Sequence, residues 1–117
     1  MKKTVIGESG LELSLLGYGG WALSARGWSG VNEKEARATV EAALASGITF
    51  FDTAPVYGFG RSEEILGEVL RGAEAVVASK CGLVWDRSGK VTHSLSRESI
   101  LRSFEASCGR LKSDRID

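Results

Sequence analysis

The chain has 117 residues, of which 43% are hydrophobic and 26% charged, proportions that are ordinary for a globular domain and argue against disorder. Its 15 basic and 15 acidic residues cancel, and the lack of a basic stripe or acidic tail argues against nucleic acid or a membrane surface as a partner. No apolar run approaches the roughly 20 residues of a membrane span, and no signal peptide is evident, so we expect a cytoplasmic protein. Cys81 and Cys108 have neither metal-site nor disulfide-framework spacing, so we expect free thiols and no metal.

The first predicted elements are a hairpin and a strand. Residues 4–6 and 11–14 are short apolar runs that flank a turn-forming cluster at 7–10, a pattern typical of two paired strands. Residues 15–19 are predicted as the first strand of the main sheet. A glycine-rich loop that includes Arg26, Gly27, Trp28 and Gly30 follows that strand.

A capping box predicts where the first helix begins. Asn32 precedes a helical run and Glu35 follows three residues later, the spacing at which each side chain reaches the backbone amide of the other. Gly47 is expected to end this helix at about Ser46. Its predicted buried stripe is Ala36, Val40, Ala43 and Leu44.

The next predicted unit is a strand followed by a second helix. Residues 49–51 are apolar and β-favouring, which suits a strand buried on both faces, and Pro55 cannot continue a central strand. Ser62 is predicted to cap the helix, with Glu63 and Glu64 in the first turn, where the helix dipole favours acids. Its predicted buried stripe is Ile65, Leu66, Val69 and Leu70.

A third strand and a third helix complete the pattern. Residues 75–79 are predicted as a strand, 81–95 as a long connection, and 115–117 as the start of a fourth strand. Ser96 is expected to open the third helix. Its predicted apolar face is Ile100, Phe104, Cys108 and Leu111. This alternation predicts an α/β fold with a parallel sheet, right-handed crossovers and three complete βα units.

Three polar side chains are predicted to meet at one edge of the sheet. Asp52 lies at the carboxyl end of the second strand, Tyr57 in the loop beyond it, and Lys80 just past the third strand. Neighbouring strands are about 5 Å apart, so Lys80 reaches both Asp52 and Tyr57 if the two strands are adjacent. The carboxyl ends of parallel strands are where active sites collect in α/β folds.

Asp52, Tyr57 and Lys80, in this order, resemble the catalytic set of the aldo-keto reductases. The resemblance extends along the chain through segments 7–10, 15–21, 27–31, 51–58, 61–67, 79–80 and 110–117. A complete barrel needs roughly 250 residues, so the match covers only the first part of the family's barrel. The resemblance therefore implies a partial TIM (β/α)8 barrel, with an N-terminal β-hairpin followed by about three βα units. Residues 1–117 are then one truncated aldo-keto reductase domain.

The resemblance implies a chemical role for each of these three residues. A free tyrosine has a pKa near ~10 and gives up its proton reluctantly near neutral pH, whereas a nearby ammonium stabilises the phenolate. Tyr57 is the expected general acid. Lys80 is expected to lower the pKa of the Tyr57 phenol, and Asp52 is expected to hold the Lys80 ammonium in place. The implied activity is reduction of small aldehydes and ketones to alcohols, with NADPH as the hydride donor.

The resemblance also suggests residues that line the cofactor and substrate sites. Gly20, Trp21 and Asp52 are expected near the nicotinamide, while Trp21, Tyr57 and Trp85 are expected to border the substrate pocket. Plainer alternatives are equally open at this stage. Gly20 and Trp21 also fit a tight turn with a core tryptophan, and Trp85 also fits a plug over apolar surface.

The family's catalytic histidine and its main contacts with the cofactor phosphate follow the position that matches Asp117. His93 is predicted in the long connection and does not align with that histidine. We therefore expect little or no turnover from these 117 residues alone. Two alternatives stay open. One is a non-catalytic half-barrel that self-associates or pairs with a complementary half through its open sheet edges, and the other is a truncated gene product without a function.

Overall fold

The computed structural model describes residues 1–24 and 32–117. The predicted glycine-rich loop around Arg26, Gly27, Trp28 and Gly30 lies outside the described residues, as does all of segment 27–31, which resembles the family. Within the described part of the chain, no helix is both long and apolar enough to cross a membrane.

The predicted N-terminal hairpin is present. Strands β1 (Lys3–Val5) and β2 (Glu12–Ser14) pair antiparallel, with Lys3 opposite Ser14. The amide of Ile6 donates to the carbonyl of Leu11 at 3.1 Å and closes the turn. All of β1 is exposed, whereas the last two residues of β2 are buried, so only the second strand of the hairpin packs against the rest of the molecule.

The main sheet has three parallel strands, which confirms the predicted topology. Its strands are β3 (Gly17–Gly19), β4 (Phe50–Asp52) and β5 (Val76–Ala78), in the order β3-β4-β5. Gly19, Asp52 and Ala78 lie side by side in register. The carboxyl ends of all three strands therefore meet at one edge, where the predicted site residues are expected.

Helix α1 (Glu33–Ala45) follows the predicted pattern, including the Asn32–Glu35 capping box and the stop at Ser46. Helix α2 (Arg61–Val69) does not begin as predicted. Gly60, with φ of 94°, occupies the capping position, and Ser62 lies inside the first turn. The prediction of Ser62 as the cap was wrong because its hydroxyl hydrogen-bonds to Thr53 and Gly20 instead of to its own helix.

The core lies between the sheet and the first two helices. Phe51 of β4, Val40 of α1 and Leu66 of α2 have no solvent exposure at all. Burial of such side chains is the main source of stability in a domain of this size. The complete cluster is Leu23, Ala36, Val40, Ala43, Phe51, Ile65, Leu66, Leu70 and Leu111.

Helix α3 (Arg97–Leu111) begins at the predicted Ser96 cap but packs with a different face. Ile100 is 37% exposed and Phe104 45%, so the predicted apolar face is wrong for these two residues. The buried residues of α3 are Ser99, Ser107 and Leu111. The buried face is set by how closely α3 docks on α2: a Cβ on Gly67 would lie 2.4 Å from the carbonyl oxygen of Arg110.

The predicted long connection contains a second hairpin that the sequence pattern did not reveal. Strands β6 (Leu83–Trp85) and β7 (Val91–His93) pair antiparallel. Its turn is held by Asp86, whose carboxylate accepts from the Ser88 hydroxyl at 2.6 Å and from the Lys90 amide at 3.1 Å. The Ser88 hydroxyl, followed by the backbone amides of the turn, lowers the pKa of the Asp86 carboxyl.

No strand forms over residues 115–117 of the described chain, so the predicted start of a fourth strand is only partly reproduced. The segment does reach the free edge of β5. The amide of Asp117 donates to the carbonyl of Val77 at 3.1 Å, and the Asp117 carboxylate accepts from the Val77 amide at 3.1 Å.

Candidate active site

Asp52, Tyr57 and Lys80 lie at the carboxyl-end edge of the sheet, as their positions in the sequence predict. Asp52 is the last residue of β4, and Lys80 follows β5 by two residues. Tyr57 lies in the turn-rich segment between β4 and α2. The amide of Thr53 donates to the carbonyl of Ala78 at 2.8 Å, which extends the strand pairing one step past Asp52 and sets the spacing between the two chain segments.

Lys80 is held by three oxygen atoms. Its ammonium donates to Oδ1 of Asp52 at 2.8 Å, to Oδ2 at 2.9 Å, and to the carbonyl of Thr53 at 2.8 Å. An ammonium has three donors, so each of its N–H bonds has an acceptor. The nitrogen also lies 5.0 Å from the ring centroid of Tyr57. The structure therefore brings together the three residues predicted as catalytic.

The surroundings of Lys80 favour its charged form. Partial burial is the largest single influence and lowers the pKa of Lys80, but Asp52 and the Tyr57 phenol act in the opposite direction and together leave the pKa above its ordinary value. Lys80 thus keeps its proton throughout the neutral pH range, which is the state in which it stabilises a phenolate.

The direction of this shift predicts how the ion pair contributes to stability. Because the pKa of Lys80 is higher in the folded chain, the contribution is complete below the unfolded value of about 10.4 and is lost as pH rises through the folded value. Both side chains are more than a third exposed, at 47% and 40%, so screening keeps the contribution below about 1 kcal/mol. The free energies of unfolding in urea of the parent and of Lys80→Met are expected to differ at pH 8, and the difference is expected to shrink as pH rises beyond the unfolded pKa of about 10.4. A difference that grows with pH would contradict this assignment.

Trp21 and Tyr57 form an aromatic wall beside the ion pair. Their ring centroids are 5.2 Å apart and the rings are tilted by 43°, a geometry that favours contact between edge and face. Next to them lies a mostly apolar cleft of about 370 Å³. It is lined by Trp21, Ala54, Pro55, Val56, Tyr57, Lys80, Cys81 and Leu83.

Trp85 is not brought together with Trp21 and Tyr57 in this cleft. Its ring stacks on Phe59 with a centroid distance of 5.1 Å and an interplanar angle of 29°. Trp85 instead borders a neighbouring depression of about 350 Å³, which shares Pro55 and Leu83 with the cleft. The predicted place of Trp85 in the substrate pocket stays a prediction.

Gly20 lies where three segments converge. A Cβ on Gly20 would be 2.6 Å from the hydroxyl oxygen of Ser62 and 3.0 Å from the carbonyl oxygen of Asp52. Its own carbonyl accepts from the Ser62 hydroxyl at 2.9 Å. Close packing therefore explains why position 20 is a glycine. At the preceding Gly19 a Cβ would meet nothing within 4 Å, so the strand end beside Asp52 is bare on that side.

The histidine and the two cysteines are the remaining residues considered as possible metal ligands. His93 is exposed on β7. Cys81 lines the cleft as an exposed free thiol, and Cys108 is also free. Among the described residues, no group of three or more histidine, cysteine, aspartate or glutamate side chains is placed to hold a metal ion.

A buried polar network next to the site was not predicted from the sequence. Glu63 of α2 has no solvent exposure. Its carboxylate accepts from the Ser79 hydroxyl at 2.6 Å and from Nε of Arg110 at 2.7 Å. One signal could have identified it, because Glu63 precedes Leu66, Gly67 and Leu70 by three, four and seven residues and so shares their buried helix face.

The chain has a parallel sheet with crossover helices, and a carboxylate, a phenol and an ammonium lie at the strand ends. Together these features place the chain among the β/α-barrel proteins. The solved structure of a glycerol dehydrogenase from Gluconobacter oxydans supports this class. It superposes with a TM-score of 0.86 at 37% identity, over 98% of this chain and 37% of that one.

The family follows from the sequence comparison. The model of the aldo/keto reductase family matches residues 15–117. An aldo-keto reductase of Bacillus subtilis, YhdN, is 40% identical over the whole chain, which covers 36% of that protein. The NADH-specific methylglyoxal reductase of Escherichia coli is 37% identical, again over the whole chain, and 40% of it is covered.

The chain belongs to the aldo/keto reductase family, a family of oxidoreductases. It spans between a third and two fifths of the length of these relatives. The predicted family and the predicted partial barrel are confirmed.

Proposed function

We propose that residues 1–117 provide the acid–base part of an NADPH-dependent carbonyl reductase. The observation that carries this proposal is the placement of the Lys80 ammonium, bound by Asp52 and facing the ring of Tyr57 beside an apolar cleft. The same three residues taken singly have plain structural roles. Together at the strand ends they provide a proton donor in Tyr57, a cation in Lys80 that stabilises its phenolate, and an anion in Asp52 that holds the cation in place.

Reduction of a carbonyl to an alcohol adds a hydride to carbon and a proton to oxygen. A reduced nicotinamide cofactor supplies the hydride when it is bound. Tyr57 gives its phenolic proton to the carbonyl oxygen as negative charge develops there. Lys80 stabilises the phenolate that remains, and Asp52 keeps the ammonium in place. The cycle closes when Tyr57 regains a proton from water.

The described residues fit the reactive end of such a cofactor. Trp21 is 60% exposed and offers a flat apolar face, and the strand end at Gly19 leaves open space beside Asp52. Among the described residues that line the cleft, Lys80 is the cation, and its donors are already used by Asp52 and Thr53. Recognition of the cofactor phosphates is therefore assigned to parts of the protein other than this cleft.

The proposed substrate is a small aldehyde or ketone. The cleft volume of about 370 Å³ suits a compact molecule, and its predominantly apolar lining favours a neutral one. The choice of NADPH is inferred from the family alone. The Escherichia coli relative is called NADH-specific, so the two cofactors need a direct comparison.

A chimera tests the proposed function. The matching segment of the Bacillus subtilis relative is replaced by residues 1–117. Oxidation of NADPH and of NADH is then followed by absorbance, with methylglyoxal, the substrate in the name of the Escherichia coli relative, as the carbonyl compound. We expect turnover with a preference for NADPH, and little or none from the separate 117-residue chain. A folded chimera that consumes neither cofactor would contradict the proposal, and a preference for NADH would overturn the cofactor assignment alone.

Association is a second candidate function, favoured by the exposed apolar face of α3. Ile100, Leu101 and Phe104 are 37%, 42% and 45% exposed and lie on adjacent turns of one helix; we call them the α3 patch. Contiguous exposed apolar side chains often mark interaction sites. The proposed partner is a second copy of this chain or a complementary half-barrel.

The α3 patch predicts a concentration-dependent dimer. Phe104→Asp is expected to weaken self-association by about tenfold or more, because buried aromatic side chains dominate interface energies. Sedimentation equilibrium measures the effect, and Lys34→Asp, a charge change on exposed α1 surface, is the control. A parent chain that is monomeric at every concentration would argue against this candidate.

A further inference from the structure

Three segments that carry candidate site residues are hydrogen-bonded to α2, each through a residue adjacent to the candidate one. Thr53 follows Asp52, and its hydroxyl lies 2.8 Å from that of Ser62. Ser79 precedes Lys80, and its hydroxyl donates to the carboxylate of Glu63 at 2.6 Å. These contacts join the β4 and β5 segments to consecutive residues of one helical turn.

The third site segment is held by the same turn. The hydroxyl of Ser62 donates to the carbonyl of Gly20, the residue before Trp21, at 2.9 Å. Thr53, Ser62 and Glu63 have no solvent exposure. Water therefore does not compete for these hydrogen bonds, and a buried, fully paired polar network of this kind resists displacement.

Glu63 is in turn fixed from the opposite side. Nε of Arg110 on α3 donates to its second carboxylate oxygen at 2.7 Å, so both oxygen atoms of the carboxylate are occupied. The fold needs an anion here to balance Arg110, but that requirement does not explain why the other oxygen binds the residue next to Lys80. That contact links the buried pair to the surface site.

We propose that Ser62 and Glu63, in the first turn of α2, are positioning residues that hold the Asp52, Lys80 and Trp21 segments in their working geometry. The proposal rests on the proposed function of that site. The two residues touch no reacting group; they act through Thr53, Ser79 and Gly20. Because misplacement of a reactive group by about 1 Å can cost about 10²-fold in rate, such supports matter to the site beyond their effect on stability.

The test measures the geometry at Lys80 and does not depend on turnover. The full chain is acetylated with trace acetic anhydride at pH 8, and mass spectrometry gives the rate at Lys80 relative to Lys34, an exposed lysine on α1. In the parent, the Lys80 ammonium is bound by Asp52 and Thr53 and reacts slowly. Loss of that geometry frees the amine and raises the ratio.

Ser79→Ala is the main variant because it removes a single oxygen atom and leaves the Glu63–Arg110 pair intact. We expect it to raise the Lys80 to Lys34 ratio by about threefold or more, because an amine released from Asp52 and Thr53 is free to react. Ser79→Thr, which keeps a hydroxyl, is expected to restore the parent ratio. Glu63→Gln provides a second variant if Ser79→Ala does not fold.

Ser14→Ala is the matched control. Ser14 is fully buried and its hydroxyl accepts from the Thr49 amide at 2.9 Å, but it lies at the other end of β4 from Asp52. Its ratio is expected to stay at the parent value. A parent ratio in folded Ser79→Ala and Glu63→Gln would overturn the proposal, as would an equal rise in Ser14→Ala. A chain without reductase activity leaves the ratios unaffected, so the two proposals fail separately.

Discussion

Replacement of Tyr57 by phenylalanine in the chimeric enzyme is expected to lower kcat by about 10²–10⁴-fold, the usual contribution of a positioned general acid. The substitution removes only the phenolic oxygen. The ring remains beside Trp21, 5.2 Å away, and the cleft keeps its shape. Because the proton is transferred only as the carbonyl is reduced, kcat is expected to fall far more than KM changes.

Tyr18→Phe is the matched control for this experiment. Tyr18 also bears a hydrogen-bonded hydroxyl, 2.6 Å from that of Thr39, but it belongs to the packing between β3 and α1. Its replacement is expected to leave kcat within about twofold, since its hydroxyl takes no part in proton transfer. Equal losses in the two variants would show that the Tyr57 effect is structural.

Replacement of Arg110 by alanine is expected to destabilise the chain by about 3 kcal/mol. Glu63 has no solvent exposure, and without Arg110 its carboxylate keeps, among the side chains of residues 1–24 and 32–117, only the Ser79 hydroxyl as a donor. Removal of one partner from a buried ion pair costs about 3–5 kcal/mol. Arg110 retains 21% of its side-chain exposure, which places the expected value at the lower end. Chemical unfolding monitored by tryptophan fluorescence measures it.

An exposed ion pair on the same helix provides the comparison. Arg102 pairs with Glu98 one turn earlier on α3, with side-chain exposures of 66% and 78%. Surface pairs of this kind contribute about 0–1 kcal/mol, so Arg102→Ala is expected to change stability by less than that. If Arg110→Ala were as mild as Arg102→Ala, the Glu63–Arg110 pair would not be a structural support.

Local patterns predicted the elements whose stabilising contacts are close in sequence. The capping box of Asn32 and Glu35 and the cap at Ser96 use partners three residues away, and both were predicted correctly. The order of β4 and β5 and the position of Asp52 and Lys80 follow from the strand–helix alternation. The sequence was sufficient here because each of these elements depends on a short segment and its periodicity.

The predictions were wrong where contacts with segments distant in the sequence determine the structure. Ser62 resembles a helix cap in sequence, but Thr53 and Gly20 supply its hydrogen-bond partners. Hydrophobicity placed Phe104 on the inner face of α3, whereas the close docking of α3 on α2, seen at Gly67, determines which face is buried. Both outcomes depend on how the helices dock, which a single sequence pattern does not encode.

In the proposed reaction, a hydride is transferred to a carbonyl carbon while Tyr57 supplies the proton to its oxygen. The most direct test supplies the chimera with NADPH deuterated at C4 of the nicotinamide and analyses the alcohol by mass spectrometry. We expect deuterium on the former carbonyl carbon of the alcohol. In the same time, Tyr57→Phe is expected to yield labelled alcohol in an amount lower by about 10²-fold or more. Oxidation of the cofactor without deuterium in the alcohol, or an undiminished yield from Tyr57→Phe, would contradict this mechanism.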